Sequence, residues 1–301
     1  MTGAHRTDLA APALIIASLL WGTTGTAASF MPADVGPLAI GAVTMCAGGL
    51  LLFVFSASRA LAALRDPASR RWLALGAIGV FVYPLTFYSA MNLAGVAIGN
   101  VVALGSGPVF AALLEWSFER RRPSLSWLLC TCAAVAGIGL LAAFGHADAG
   151  PAHPHILAGV ALGLLAGFAY ALYAYASSRA LATRHGGRAV MGGMFGLGAL
   201  LLLPVLVVTG EPLLQSGRTI GIAAYLVLGP MFLAYLLFAI GLARLRSSVA
   251  TTITLIEPLV ATVLAVVVVG ERLTVEGWTG LALILVGVAA MATARLPGNP
   301  A

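Results

Sequence analysis

Ten apolar runs follow one another through this chain of 301 residues, each close to the roughly 20 residues that carry a helix across the hydrocarbon core of a bilayer. They cover residues 10–30, 36–56, 72–91, 95–117, 124–144, 156–177, 189–209, 219–242, 248–269 and 275–294. Ten spans consume about 200 residues, so the remainder suffices for the ends and nine short connections but not for a soluble domain. With 60% hydrophobic and 9% charged residues, the chain also carries more apolar surface than a soluble core could enclose. Inside lipid every backbone polar group must find its partner within the protein, so runs of this length form helices. The expectation is an all-α integral membrane protein with ten transmembrane helices.

Charge supplies the orientation. There is no lysine, and the 16 arginines fall into clusters beside the apolar runs. Arg6, Arg59, Arg65, Arg70, Arg71, Arg120, Arg121, Arg122, Arg179, Arg184, Arg188, Arg244, Arg246 and Arg295 all fall on one side if the ten spans are counted in order. Only Arg218 and Arg272 fall on the other. By the positive-inside rule both termini are cytoplasmic, in a multi-pass membrane protein. The net charge of +6 is therefore a topology signal and a contact for anionic headgroups, not a nucleic-acid footprint. The first run has only Arg6 upstream, and its polar centre, Trp21-Gly22-Thr23-Thr24-Gly25-Thr26, favours a retained helix over a cleaved leader. Trp72, Trp116, Trp127 and Trp278 sit at span ends, as interfacial anchors do, whereas Trp21 lies deep in its span. Gly159, Gly163 and Gly167 form a small-residue face on the sixth span, suited to close helix packing.

A phrase recurs near the end of each half. The first copy is Gly107-Pro108-Val109-Phe110-Ala111-Ala112, then Glu119-Arg120, Trp127 and Gly137. The second is Glu257-Pro258-Leu259-Val260-Ala261-Thr262, then Glu271-Arg272, Trp278 and Gly287. From proline to final glycine each copy spans 29 positions, although the Glu-Arg pair slips by two. Five spans per half is an odd number, so residues 1–150 and 151–301 form two five-helix repeats inserted in opposite senses. Inverted repeats of this kind characterise secondary transporters, with the substrate site near the midplane between the halves.

Trp21-Gly22, the Pro108…Glu119-Arg120 phrase and Glu257-Pro258…Gly270-Glu271-Arg272-Leu273-Thr274…Gly277-Trp278…Gly287 together resemble the drug/metabolite transporter superfamily, EamA type. The resemblance runs over nearly the whole chain. Within the superfamily the chain is most similar to YddG-type exporters of aromatic and other amino acids, through overall likeness, Trp21-Gly22-Thr23 and the Tyr-Pro of the third span. It implies a 5+5 helix architecture and export from the cytoplasm.

Polar and aromatic side chains at mid-span are the candidates for a substrate path. Glu257 is foremost, because a central carboxylate costs about 2.5–3.5 kcal/mol on insertion scales and must face protein or water. It either binds a substrate ammonium group or a proton, or hydrogen-bonds a neighbouring helix beside Pro258. Thr254 shares its face. Asn100 and Ser106 form a polar stripe on the fourth span, fit for a substrate's polar backbone or for gluing helices together. Trp21, Tyr83, Tyr173 and Phe232 are the expected aromatic wall. Pro84, Pro108, Pro230 and Pro258 are candidate kinks.

This lining suits a small zwitterion: a neutral or aromatic amino acid or a related metabolite, moved by alternating access. A phosphate or nucleotide sugar would demand buried basic residues, and no arginine lies within a span. A proton-coupled multidrug exporter of the same fold and a passive small-solute channel remain open. An enzyme would need a nucleophile–base set or paired intramembrane aspartates, and neither motif occurs. With no Walker A phrase, no ATP site is expected. His146, His153, His155 and Asp148 share one connection but lack metal spacing, so no metal or other cofactor is expected. Cys46, Cys130 and Cys132 fall within apolar runs as buried thiols. One chain holds both halves, so a monomer suffices to form a site.

Overall fold

The computed structural model describes residues 10–119, 125–144, 155–242, 253–254 and 256–293. Ten helices correspond to the ten apolar runs. They are α1 (Ala10–Gly22, continued by Thr24–Ser29), α2 (Pro37–Phe55), α3 (Pro67–Ala94), α4 (Val96–Glu119) and α5 (Leu125–Phe144) in the first half. The second half holds α6 (Ile156–Leu181), α7 (Gly187–Thr209), α8 (Gly217–Leu226, Val227–Leu233 and Ala234–Leu242), α9 (Ile256–Leu264 and Ala265–Val269) and α10 (Val275–Thr293). Helices α1 to α4 and α6 to α8 are each long and apolar enough to cross a membrane unaided. Arg120–Arg122, His146, Asp148, His153, Arg244 and Arg246 lie outside the described residues.

Boundaries depart from expectation where local chemistry overrides hydropathy. Helix α3 begins five residues before its apolar run, because Pro67 occupies the first turn and the Asp66 carboxylate caps it by accepting from Ala68 N (3.1 Å). Between α2 and α3 lies a short amphipathic helix, Ala57–Arg65, which buries Ala60 and Ala63 and exposes Arg59 and Arg65. The sequence reading treats this stretch only as a connection. Helix α1 is interrupted at Thr23, within a Gly-Thr-Thr-Gly run of weak helix formers. The Thr23 hydroxyl bonds back to Leu20 O (2.7 Å) and meets the Tyr225 hydroxyl of α8 at 2.6 Å. In α8, Pro230 lacks the N–H for a tight turn, and Val227–Leu233 winds as a π-helix.

Helix packing follows an inverted two-fold. Helix α2 packs on α7, α5 on α10 and α4 on α9, each against its own counterpart in the other half. Further contacts come as mirror pairs: α3 on α6 with α8 on α1, α4 on α6 with α9 on α1, and α3 on α7 with α8 on α2. Small residues set these seams. On α6, Gly159 meets Ala94 of α3, while Gly163 and Gly167 meet Val102, Ala103 and Ser106 of α4. Gly137, which closes the first copy of the repeated phrase, lies against the Gly280 carbonyl of α10.

The bundle has two ends. One carries Asp66, Glu119 and the α6–α7 connection. The other carries Ser29–Pro37, Gly95 and Gly270–Thr274. At the second end a single residue, Gly95 (φ 90°), joins α3 to α4. Gly270 (φ 83°) likewise ends α9 in the left-handed conformation.

Candidate functional site

A packed cluster of aromatic rings, the aromatic chamber, forms at mid-depth where five helices converge. On α3 the interval of four residues stacks Tyr83 on Phe87, with ring centroids 5.1 Å apart. From α6, Tyr170 and Tyr173 meet Tyr83 at 6.1 and 6.0 Å. Tyr173 also faces Phe195 of α7 at 5.8 Å, and its hydroxyl lies 3.2 Å from that of Tyr235 on α8. Tyr235 continues to Trp21 of α1 at 5.2 Å, and Trp21 also touches Phe238 at 5.3 Å. Three of the four expected wall residues, Trp21, Tyr83 and Tyr173, therefore belong to one connected set.

Helix α9 brings the carboxylate. Glu257 stands in its first described turn, and its backbone carbonyl lies against Gly22 of α1. A Cβ at Gly22 would come within 2.7 Å of Val260 and 3.0 Å of that carbonyl, so the close approach of α1 to α9 requires glycine. The Glu257 side chain acts electrostatically on Tyr83, Tyr170 and Tyr235, which places it at the chamber. No hydrogen bond or ion pair reaches it from the described residues. Thr254 is helical and half-buried one turn earlier.

Asn100 occupies a different level. Both of its amide atoms are buried and find no partner among the described residues, as is the case for the hydroxyl of Thr26 on α1. In helical register Val96, Asn100, Ala103 and Gly107 line one stripe of α4. Val96 touches the Gly25 position of α1, next to Thr26, while Gly107 makes room for the Tyr170 ring. Asn100 thus stands between the Gly95 end and the chamber, roughly 10 Å along the helix from Gly107. A buried amide left unpaired costs about 1–3 kcal/mol, which sets Asn100 apart from the small apolar residues of this stripe.

A cavity of about 620 Å³ opens at the Gly95 end. It is bounded by Gly25, Ser29, Met31, Met91, Val96 and Glu271, and at its floor by Tyr88, which packs against Phe87 of the chamber (5.5 Å). Beside it the Glu271 carboxylate accepts from Val96 N and, at 2.9 Å, from Ala97 N, capping α4 from the other half of the molecule.

The remaining expected residues lie elsewhere. Ser106 is buried in the α4–α6 seam, its hydroxyl turned to Ala103 O (3.3 Å) and set against Gly167. Phe232 packs on Phe55 of α2 at 6.0 Å, outside the connected aromatic set. Pro84 lies inside a continuous α3, Pro230 within the π-helix and Pro258 in the first turn of α9. Helix α4 runs through position 108 without interruption. Sequence reasoning leaves Tyr235, Tyr170, Phe195, Phe238 and Thr26 out of the site. The π-helix explains the exchange of Phe232 for Tyr235, because a wide turn rotates every later side chain off the 3.6-residue face. No cluster of metal-ligating side chains occurs among the described residues.

Two stretches of the chain, residues 9–143 and 157–293, each match the EamA-like transporter family. The chain is 34% identical over 287 residues to the uncharacterized transporter YwfM of Bacillus subtilis (strain 168), covering 93% of both sequences. It is 28% identical over 267 residues to the threonine/homoserine exporter RhtA of Escherichia coli (strain K12), covering 87% of this chain and 83% of that one. A protein crystal structure 25% identical in sequence superposes with a TM-score of 0.64, over 96% of this chain and 98% of the other.

Proposed function

This chain belongs to the EamA-like transporter family, and from that membership we propose that it exports small neutral or aromatic amino acids and related metabolites across the inner membrane by alternating access. The observation that carries the substrate class is the meeting of a mid-span carboxylate, Glu257, which no described residue pairs, with a cluster of tyrosines and a tryptophan. A carboxylate at low polarity attracts an ammonium group, and aromatic faces accept both cation and side chain. Asn100 and Thr26 supply neutral polar partners on the way from the cavity, where a substrate carboxylate can be held without a fixed counter-charge. The likeness to a threonine/homoserine exporter supports the same class.

The arginine distribution puts the Asp66 end and both termini in the cytoplasm, so the cavity at the Gly95 end faces outward. Residues 1–150 and 151–301 act as the two rocking halves, with Pro84, Pro108, Pro230 and Pro258 as the places where helices bend. Trp21, Tyr83 and Tyr173 line the chamber, and Thr254 supports Glu257. Ser106 and Phe232 act through the seams they fill. One chain completes the site.

The test is a flux screen of the twenty amino acids in proteoliposomes, with and without a pH gradient. Neutral or aromatic amino acids should show counterflow, and Asn100→Ala and Glu257→Gln should each impair it while leaving folding intact. Wild-type rates in both folded variants would overturn the site. The carboxylate among aromatic rings also favours a second reading, proton-coupled export of lipophilic cations. That reading is supported only if such cations drive Glu257-dependent flux when amino acids do not. Flux without counterflow would instead indicate a channel.

A further inference from the structure

At the Asp66 end two guanidinium groups lie against one indole ring. Arg71 Cζ lies 5.2 Å and Arg179 Cζ 5.4 Å from the centroid of Trp72 on α3. Tyr175 of α6 meets the same ring edge-on at 6.1 Å, and Phe118 of α4 stacks on Tyr175 at 5.9 Å. The two cations differ in their partners. Arg179 is paired with Glu119 at 3.2 Å, and Tyr175 OH donates to the same carboxylate at 3.4 Å. Glu115 lies near enough to act on Tyr175. Arg71 is exposed, and among the described residues its contact is the indole face alone.

The depth of this group is fixed by helix rise. From Trp72 to Ala94 there are 22 residues of α3, about 33 Å of helix, and Trp116 lies 20 residues along α4 from Val96, about 30 Å. Both lengths match the hydrocarbon thickness of roughly 30 Å, so Trp72, Trp116 and Phe118 stand at the headgroup boundary when the Gly95 end stands at the other. Phe118, stacked on Tyr175, is 65% exposed, and Trp116, at the same level of α4, is 49% exposed. Arg65, Arg70, Arg184 and Arg188 are also exposed at this end.

We propose that the Arg71–Trp72–Arg179 cluster is a seat for the phosphodiester of an anionic phospholipid. The phosphate accepts from the Arg71 guanidinium, whose planar fork suits it, while Arg179, held by Glu119, lies against the same ring. The acyl chains lie on the exposed faces of Phe118 and Trp116. A zwitterionic headgroup would carry its own cation into a field already set by arginines, which selects for a net negative lipid. A free phosphate would leave the exposed aromatic faces without function. The inference rests on the membrane fold and is independent of the substrate.

Purified protein is reconstituted in vesicles of phosphatidylcholine doped with brominated phosphatidylglycerol or brominated phosphatidylcholine, and tryptophan emission is recorded. The quenching that disappears in Trp72→Phe belongs to Trp72. That component should saturate at about a fivefold lower mole fraction of the anionic lipid, the effect of one basic side chain near an anionic surface. Arg71→Gln should abolish the preference, Arg71→Lys should retain part of it, and inorganic phosphate at millimolar concentration should not displace the lipid. Equal quenching by the two lipids, or a preference unchanged in Arg71→Gln, overturns the proposal. Displacement by inorganic phosphate also overturns it, in favour of a free-anion site.

Discussion

The contact between Glu271 and the start of α4 offers the sharpest test of how the two halves are joined. The first N–H groups of a helix have no acceptor within the helix, so whatever protects Val96 N and Ala97 N must come from outside it. In this protein that partner is a single carboxylate from the opposite half, with Oε1 taken by Val96 and Oε2 by Ala97. Charge-assisted hydrogen bonds contribute about 1.5–3 kcal/mol each, and about 1.4 kcal/mol corresponds to a tenfold change in an opening equilibrium. Glu271→Ala should therefore speed exchange of these two amides by about tenfold to a hundredfold. Glu271→Gln keeps a neutral acceptor and should fall between. Hydrogen–deuterium exchange of peptides covering residues 94–99, followed by mass spectrometry, reads the effect directly. Amides in α6, across the seam, serve as the internal reference. If residues 96 and 97 exchange at the wild-type rate in Glu271→Ala, the carboxylate is not what holds them, and the cap across the repeats is refuted.

Other substitutions probe the packing, the chamber and one surface ion pair. Gly22→Val forces a side chain into Val260 and the Glu257 carbonyl. It should lower thermal stability by about 1–3 kcal/mol, more than Gly22→Ala, and a wild-type melting curve for Gly22→Val would refute the close approach of α1 to α9. The Tyr173–Tyr235 hydroxyl pair should show a coupling of roughly 0.6 kcal/mol in a double-mutant cycle with phenylalanine, the usual scale for hydrogen bonds inside a bilayer; strictly additive effects would show that the hydroxyls do not interact. Asp66 is held below the usual carboxylate range by the Ala68 N–H, by His185 at 3.0 Å and by Arg184. Its contribution is thus present above the ordinary carboxylate value and lost as pH falls through the lowered one. Melting curves from pH 5 downward should show wild type losing an advantage over Asp66→Asn, and parallel curves would contradict this.

The fold was legible because a bilayer imposes length. Apolar runs of about 20 residues give the helices, their number and, with the arginines, their alternation, before any packing is known. The face of a helix is harder to read. The Gly159, Gly163 and Gly167 stripe was readable because a straight helix keeps its register, and it packs on α3 and α4 as small residues do. Past Pro230 the register changes, so Phe232 and Tyr235 exchange places and only Tyr235 reaches the chamber. Asn100 and Glu257 stand out in sequence by their cost in hydrocarbon, but their separation along the helices follows only from which neighbours they meet. The cavity at the Gly95 end was invisible, since its walls combine the ends of α1, α3 and α4 with loop residues, and nothing in the sequence brings these together.

The repeated Glu-Arg phrase shows most clearly what sequence symmetry leaves undetermined. The two glutamates occupy equivalent places, at the ends of α4 and α9, yet their partners differ in kind. Glu271 accepts backbone N–H groups of α4, whereas Glu119 takes the side chains of Arg179 and Tyr175 on α6. A sequence repeat alone makes the two ends of the bundle equivalent. Alternating access needs them to be inequivalent at any one moment and interchangeable over time. The equivalence lies in the sequence, and the inequivalence in which partner each carboxylate has found.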